Sequence, residues 1–162
     1  MKILDDVMPH VRNEDWRKVD AVLDAASANA DANDRSSIGF WRGESLAMQQ
    51  RYKEALEALV AHRGDIHCKS LADTMRAKIL AHLGRHGEAL ATSAQAVANG
   101  EESVFPGLAR EAKFYRCLYL ARAGVEPPSD LMDALPDDYR SMDLADRFIT
   151  KKDILAAMAA RR

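Results

Sequence analysis

The order of small, apolar and polar residues in one block of the chain recurs 34 positions later. The matched pairs are Gly43 and Ala77, Leu46 and Leu80, Glu54 and Glu88, and Ala55 and Ala89. Two helices of about four turns each, joined by short turns, use about 34 residues. The period therefore predicts an all-α fold built from helical hairpins that stack side by side.

The residue types fit this interpretation. Small residues at positions 43 and 77 let the first helix of each hairpin approach the second, and the leucines one turn later fill the space between them. Gly84 follows Leu83 and is the expected left-handed residue that ends a first helix. The apolar pattern that resumes at Glu88 predicts the second helix of that hairpin.

This pattern resembles the tetratricopeptide repeat. The family's unit has a small residue in the first helix, an aromatic residue before the second helix and an alanine that opens it, which here correspond to Gly43, Tyr52 and Ala55. The next unit has His86 in place of the aromatic residue, and neither unit has the family's terminal proline. The resemblance covers roughly residues 36–100. It implies a right-handed stack of antiparallel helix hairpins, an alpha-alpha superhelix.

The flanks extend the pattern to a single domain over the whole chain, with a partial first repeat, two repeats, a degenerate repeat and a C-terminal capping helix. The predicted ranges are about 1–34, 36–66, 70–100, 108–135 and 150–161. A Thr150 to Asp153 capping box begins the last helix. That helix is expected to cover the open end of the stack.

Two details of register follow. Ala21 lies 34 before Ala55, which places Pro9 at the small-residue position, so residues 3–8 are expected to form at most a short or kinked helix. The last repeat matches the previous one at an offset of 40, with Cys117 at the small-residue position. We therefore expect six added residues between Asn99 and Gly107, and a packing role for Cys117.

Composition and charge narrow the function. Hydrophobic residues make up 48% and charged residues 30%, as in folded domains. Lys plus Arg number 23 against 25 Asp plus Glu, so no nucleic acid or anionic membrane partner is expected. No stretch approaches eighteen uninterrupted apolar residues, and Asp5 and Asp6 interrupt the N-terminal stretch where a signal peptide needs an apolar run. With two isolated cysteines, these features predict a cytoplasmic protein.

Catalytic signatures are missing. The sequence contains no Gly-x-Gly-x-x-Gly turn, no phosphate-binding loop and no Gly-x-Ser-x-Gly elbow, so we predict neither an enzyme nor a cofactor. The alternative is a metal-dependent or catalytic protein that uses His67, Cys68, His82 and His86. Because Gly84 is expected to end the helix between His82 and His86, no metal site is predicted.

The resemblance implies that the first helices line a concave binding face. Residues spaced by four on each helix mark the predicted partner-binding positions: Phe40, Glu44, Met48, Thr74, Lys78, His82, Phe114, Leu118 and Arg122. Aromatic and charged groups together suit an amphipathic helix or an extended peptide with acidic groups. The alternative is that Phe40 and Phe114 are interior residues or are covered by the C-terminal segment.

A protein-protein interaction module is therefore the expected function, as an adaptor, a chaperone for a secreted effector or an immunity protein that blocks a toxin. The partner is a protein or peptide. Family members that grip a C-terminal carboxylate differ at the positions of Glu44 and Thr74, so that ligand is not predicted. Self-association through the same face, as a homodimer, is the remaining alternative.

Overall fold

The computed structural model describes residues 2–60, 66–102, 105–144 and 147–160, without the side chains of residues 2, 33, 36 and 66–68. Within these ranges the fold is helical apart from one short two-stranded hairpin, which the sequence analysis did not predict. The elements are α1 (Lys2–Arg12), α2 (Trp16–Ser27), α3 (Ala32–Met48), α4 (Tyr52–Val60), α5 (Ile66–His82), α6 (His86–Glu101), α7 (Pro106–Arg122), α8 (Ser129–Asp133), β1 (Arg140–Met142), β2 (Phe148–Thr150) and α9 (Lys151–Ala159).

Helices that follow one another along the chain pack together, from α1 against α2 through to α6 against α7. The first helices of the hairpins also contact one another, because α3 packs on α5 and α5 packs on α7. The buried apolar side chains form three clusters, and Leu56 and Trp41 each contact two of them. The core therefore runs along the length of the stack.

Four turns between helices share one backbone conformation. Each has a residue with positive φ, namely Glu14 (55°), Gln50 (62°), Gly84 (75°) and Gly124 (79°). In all four, the N–H of that residue bonds to the carbonyl three positions back, and the next N–H bonds to the carbonyl five positions back. The predicted stop at Gly84 is confirmed, and these turns recur at offsets of 36, 34 and 40.

The first offset corrects the predicted register of the first hairpin. Val19 and Leu23 are fully buried, as are Ala55 and Leu59 36 positions later, whereas Ala21 is exposed. The match of Ala21 to Ala55 is therefore wrong. The second helix of this hairpin, α2, begins 16 residues before α3, whereas α4 begins 14 residues before α5. The two extra residues therefore lie between the start of α2 and the start of α3.

Pro9 does not limit α1 to residues 3–8, because the helix continues to Arg12. With an offset of 36, Val7 takes the small-residue position, and it is fully buried. Pro9 is exposed, and so is Asp5, whose carbonyl loses its usual helical N–H partner. Water can take that partner's place, while Ile3 and Val7 bury the opposite side of the helix.

The predicted close approach within a hairpin is confirmed at Gly43. A Cβ atom built there would lie 2.5 Å from Cγ of Leu59, so α3 and α4 meet at a distance that only glycine allows without a shift. Ala77 and Cys117 are both fully buried at the equivalent positions of α5 and α7. The packing role predicted for Cys117 agrees with this burial.

The connection expected between Asn99 and Gly107 begins later than predicted. Asn99 and Gly100 lie inside α6, which continues to Glu101, and both are buried. Asn99 also donates a hydrogen bond to Asp73 at 2.8 Å. The predicted capping box is present, since the Thr150 N–H donates to Asp153 at 2.8 Å. The helix α9 that follows packs against α7.

Candidate functional site

The nine predicted binding residues lie on α3, α5 and α7. We call the side of these helices that carries Glu44, Lys78 and Tyr115 the front face. The buried members of the predicted set are Phe40, Thr74, Lys78, Phe114 and Leu118. Glu44 and Met48 are half-buried, and only His82 and Arg122 are exposed. Most of the predicted positions are therefore closed to a partner in this conformation.

A C-terminal piece of the chain provides much of this cover. We call residues 139–148 the hairpin segment; the structure describes it at 139–144, which contain β1, and at 147–148, where β2 begins. The Tyr139 ring lies 5.2 Å from that of Phe114, between centroids. Leu144 packs against the cluster that contains Phe40. The alternative in which the C-terminal segment covers Phe114 thus agrees with the structure, and Phe40 is an interior residue of its own cluster.

A main-chain carbonyl of the hairpin segment is held by two side chains of the front face. The Tyr115 hydroxyl donates to the Met142 oxygen at 2.9 Å, and Lys78 Nζ donates to the same oxygen at 3.4 Å. The Ser141 hydroxyl lies 3.1 Å from the Tyr115 hydroxyl and 3.3 Å from Glu111 Oε1. A carbonyl only accepts, so the single Tyr115 proton points to Met142 while Ser141 donates to Glu111.

Lys78 is the charged centre of the front face. Its Nζ lies 2.9 Å from Glu111 Oε1 and 4.4 Å from the centroid of the Tyr115 ring. Burial by itself lowers the pKa of Lys78, but the charge of Glu111 and the contact with Tyr115 outweigh it, so the pKa lies above its ordinary value. Lys78 therefore stays protonated and acts as a fixed donor.

Glu44 lies beside this pair and differs from Glu111. Burial raises the pKa of Glu44 to about 7; the charge of Lys78 opposes the rise and that of Glu111 adds to it. One carboxyl of the front face consequently gains or loses its proton near neutral pH.

One part of the front face remains open. A cleft of about 370 Å³ lies at the C-terminal ends of α5 and α7, where the hairpin segment does not close over them. Its walls are formed by Lys78, Ala81, His82, Tyr119, Arg122, Asp143 and Arg147. The His82 ring lies 4.8 Å from that of Tyr52, between centroids. The two exposed predicted residues, His82 and Arg122, thus meet in one basic cleft.

The sequence analysis missed the residues that hold the hairpin segment. On α7, Glu111, Tyr115 and Tyr119 are spaced by four, one position beyond the predicted row of Phe114, Leu118 and Arg122. That spacing was a signal for a second row on the same helix. On the hairpin side, the acceptor is the main chain of Met142, for which a sequence gives no signal.

The alternative metal site depends partly on side chains outside the described residues, namely those of His67 and Cys68. Among the side chains that the structure describes, no three of His, Cys, Asp or Glu come together to hold a metal ion. As predicted, α5 ends at His82 and α6 begins at His86, with Gly84 between them. Cys117 is buried, which raises the pKa of its thiol to about 11. None of the helices in the described ranges has the length and apolar character needed to cross a membrane.

Comparison with known proteins returns no relative, because no family model, curated protein or solved structure matches this chain. Its assignment to a type of repeat therefore depends on internal equivalences. Those equivalences are the four turns with positive φ and the small residues at Gly43, Ala77 and Cys117.

Proposed function

We propose that this chain is a tetratricopeptide-like module that holds a segment of a partner protein on its front face. The observation that carries the proposal is that this face already holds a polypeptide segment of the chain itself, seen at residues 139–144 and 147–148. Tyr115 and Lys78 bind the main-chain carbonyl of Met142, while the cluster around Phe40 receives Leu144. Hydrogen bonds to the main chain of a peptide, beside a pocket for one of its apolar side chains, are a common means by which proteins bind extended peptides.

The recurring hairpins support the repeat assignment. Equivalent turns, buried positions and ion pairs recur along the chain, as when Arg51 pairs with Glu54 and Arg85 pairs with Glu88 34 positions later. We propose that the hairpins form a right-handed superhelical stack, whose first helices α3, α5 and α7 line the concave side. The front face is then the concave surface of the module.

The open cleft suggests the chemistry of the partner. His82, Arg122 and Arg147 line it together with the single acid Asp143. An acidic group next to an apolar residue in the partner would complement this surface. Such binding needs complementary shape and charge but no catalytic residues. It suits an adaptor, an effector chaperone or an immunity protein acting in the cytoplasm.

A capture experiment with matched charge changes tests the proposal. The front-face variant carries Arg122→Glu, which avoids the buried Lys78 and the hairpin segment. The control carries Arg17→Glu, at an exposed position on α2 with the same charge change. Each protein is used as bait in an extract of the source cell, with quantification by mass spectrometry.

We expect the wild type and the control to capture the same partner proteins in equal amounts. The front-face variant should capture at least about ten-fold less of them, which corresponds to a loss of about 1.4 kcal/mol in binding free energy. Equal capture by all three baits would show that the front face is not the binding surface. Thermal melting of each bait confirms that the variants are folded.

A further inference from the structure

The hairpin segment contacts the rest of the protein on one side only. Met142 is 44% exposed and Phe148 is 55% exposed, and Arg140 and Arg147 are exposed as well. Within the described residues, β1 pairs with β2 alone, through three residues on each strand. A two-stranded ribbon this short is not stable by itself in water. Its position therefore depends on the contacts with the front face.

Buried anchors flank the hairpin segment on both sides. Leu135 precedes it, and Ile149 and Ile154 follow it, each no more than 2% exposed. All three belong to the cluster that contains Leu118 and Phe114. These anchors pack on α7 without Met142 and Leu144. Residues 139–148 can therefore leave the front face while α8 and α9 stay in place, provided that β1 also separates from Ile149 and Thr150, its partners on β2.

The front face beneath the segment is polar at its centre. Release of Met142 exposes Lys78, Glu111 and Glu44, which are charged or ionisable groups that water can solvate. The apolar contacts of the segment are made by Tyr139 and Leu144, which are only partly buried, whereas the anchors are almost completely buried in the cluster around Leu118 and Phe114. Rehydration of ionic groups offsets part of the lost contacts, so opening is easier at the hairpin segment than at the anchors.

We propose that residues 139–148 are a displaceable internal ligand, which occupies the seat of the partner segment until the partner replaces it. This inference rests on the proposed function of the front face. The partner segment then presents a main-chain carbonyl where Met142 has one, and an apolar side chain where Leu144 lies. The segment thereby sets the affinity for partners, because each partner must compete with a ligand that is always present.

The test uses the full-length chain and a labelled peptide. Leu144→Asp weakens the binding of the hairpin segment to the front face, because it places a charge against the cluster around Phe40. The substitution leaves every side chain of α3, α5 and α7 unchanged. The probe is a fluorescent synthetic peptide with the natural sequence of residues 138–150 of this chain. Fluorescence anisotropy measures its dissociation constant. The control is Leu155→Asp, an equal change at a half-exposed position on α9.

We expect the peptide to bind Leu144→Asp at least about ten-fold more tightly than it binds the wild type or Leu155→Asp. If Leu144→Asp does not fold, Leu144→Ala takes its place in the same assay. Equal binding to all variants, or binding to none, overturns the proposal. Hydrogen exchange of the wild type is a second measurement, in which residues 139–144 should exchange at least about ten-fold faster than α7 and α9. Equal protection would also overturn it.

This test separates the inference from the proposed function. If the peptide fails to bind while capture still depends on Arg122, the front face binds partners but the hairpin segment is a fixed part of it. If the peptide binds the opened variant while capture is independent of Arg122, the segment is displaceable but foreign partners use another surface.

Discussion

The Tyr115 hydroxyl on α7 donates a hydrogen bond to the main-chain carbonyl of Met142 on β1, at 2.9 Å. The bond joins two elements that are far apart in the chain and holds the hairpin segment against the front face. Because the acceptor is a main-chain atom, the same bond is available to any extended polypeptide placed there. Side chains on either side of it must then provide the selectivity.

The first prediction concerns this bond. Tyr115→Phe removes the hydroxyl but keeps the ring, and leaves the Met142 carbonyl with the longer contact from Lys78. We expect the free energy of unfolding to fall by about 1 to 2 kcal/mol in urea denaturation. Tyr139→Phe is the control, because within the described residues its hydroxyl has no hydrogen-bond partner. Similar losses for both variants would show that the Tyr115 bond adds no stability.

Gly43 provides a test of the hairpin packing. Gly43→Ala places a methyl group 2.5 Å from Cγ of Leu59, so α3 and α4 must separate or Leu59 must leave its rotamer. We expect a loss of about 1 to 3 kcal/mol in the free energy of unfolding. Gly107→Ala, on α7, meets no atom within 4 Å. That control should be neutral or stabilising by up to about 1 kcal/mol, and a similar loss at both sites would contradict the packing argument.

The recurring turns give a third prediction. Gln50 has a φ of 62° at the position that Gly84 fills in the next hairpin. Gln50→Gly relieves the contact between its Cβ and the backbone and should raise the melting temperature, with a gain of about 0.5 to 1 kcal/mol. Gly84→Ala should cost about 1 kcal/mol for the converse reason.

Ala123 is the matched control for the turn, because it stands directly before Gly124, as Gln49 stands before Gln50. Its φ is −78° and its side chain is exposed and apolar, so Ala123→Gly relieves no strain and chiefly adds freedom to the unfolded chain. The same measurement should show destabilisation. If Gln50→Gly also destabilises the protein, the conformation at Gln50 is not strained.

The helices could be predicted because each repeats a period set by backbone geometry and side-chain volume. The register of the first hairpin could not be predicted from residue identity, since Val19 fills the space that Ala55 fills 36 positions later. What matters for packing is the volume available between the helices, and Val7 at the Gly43 position changes that volume. The backbone geometry of the turns, rather than residue identity, gives the correct alignment of the first hairpin with the second.

The front face was predicted in part. Its helices and many of its residues follow from the four-residue spacing, but the cover over them does not. Two short strands with a main-chain acceptor at Met142 leave no periodic signal in a segment of this length. Tyr115 could have been found, because it continues the row begun by Glu111 and faces the same way as Lys78.

The last prediction concerns pH. Burial raises the pKa of Glu44 from 4.5 to about 7 in the folded protein. A carboxyl with a raised folded pKa contributes its full stability below the unfolded pKa and loses it as pH rises through the folded pKa. Glu44 should therefore lower the free energy of unfolding by about 1 to 3 kcal/mol between pH 5 and pH 8. Glu44→Gln removes this dependence because the amide does not ionise.

The measurement is urea denaturation of both proteins from pH 5 to pH 8. All other groups are common to both proteins and cancel in the difference, so the variant should gain stability relative to the wild type as pH rises, chiefly between pH 5 and pH 7. Glu57→Gln, at an exposed position on α4, should show a constant difference. A constant difference for Glu44→Gln as well would mean that its carboxyl is solvated in the folded state. It would then carry its charge at neutral pH, and Lys78 would lie between two charged carboxylates.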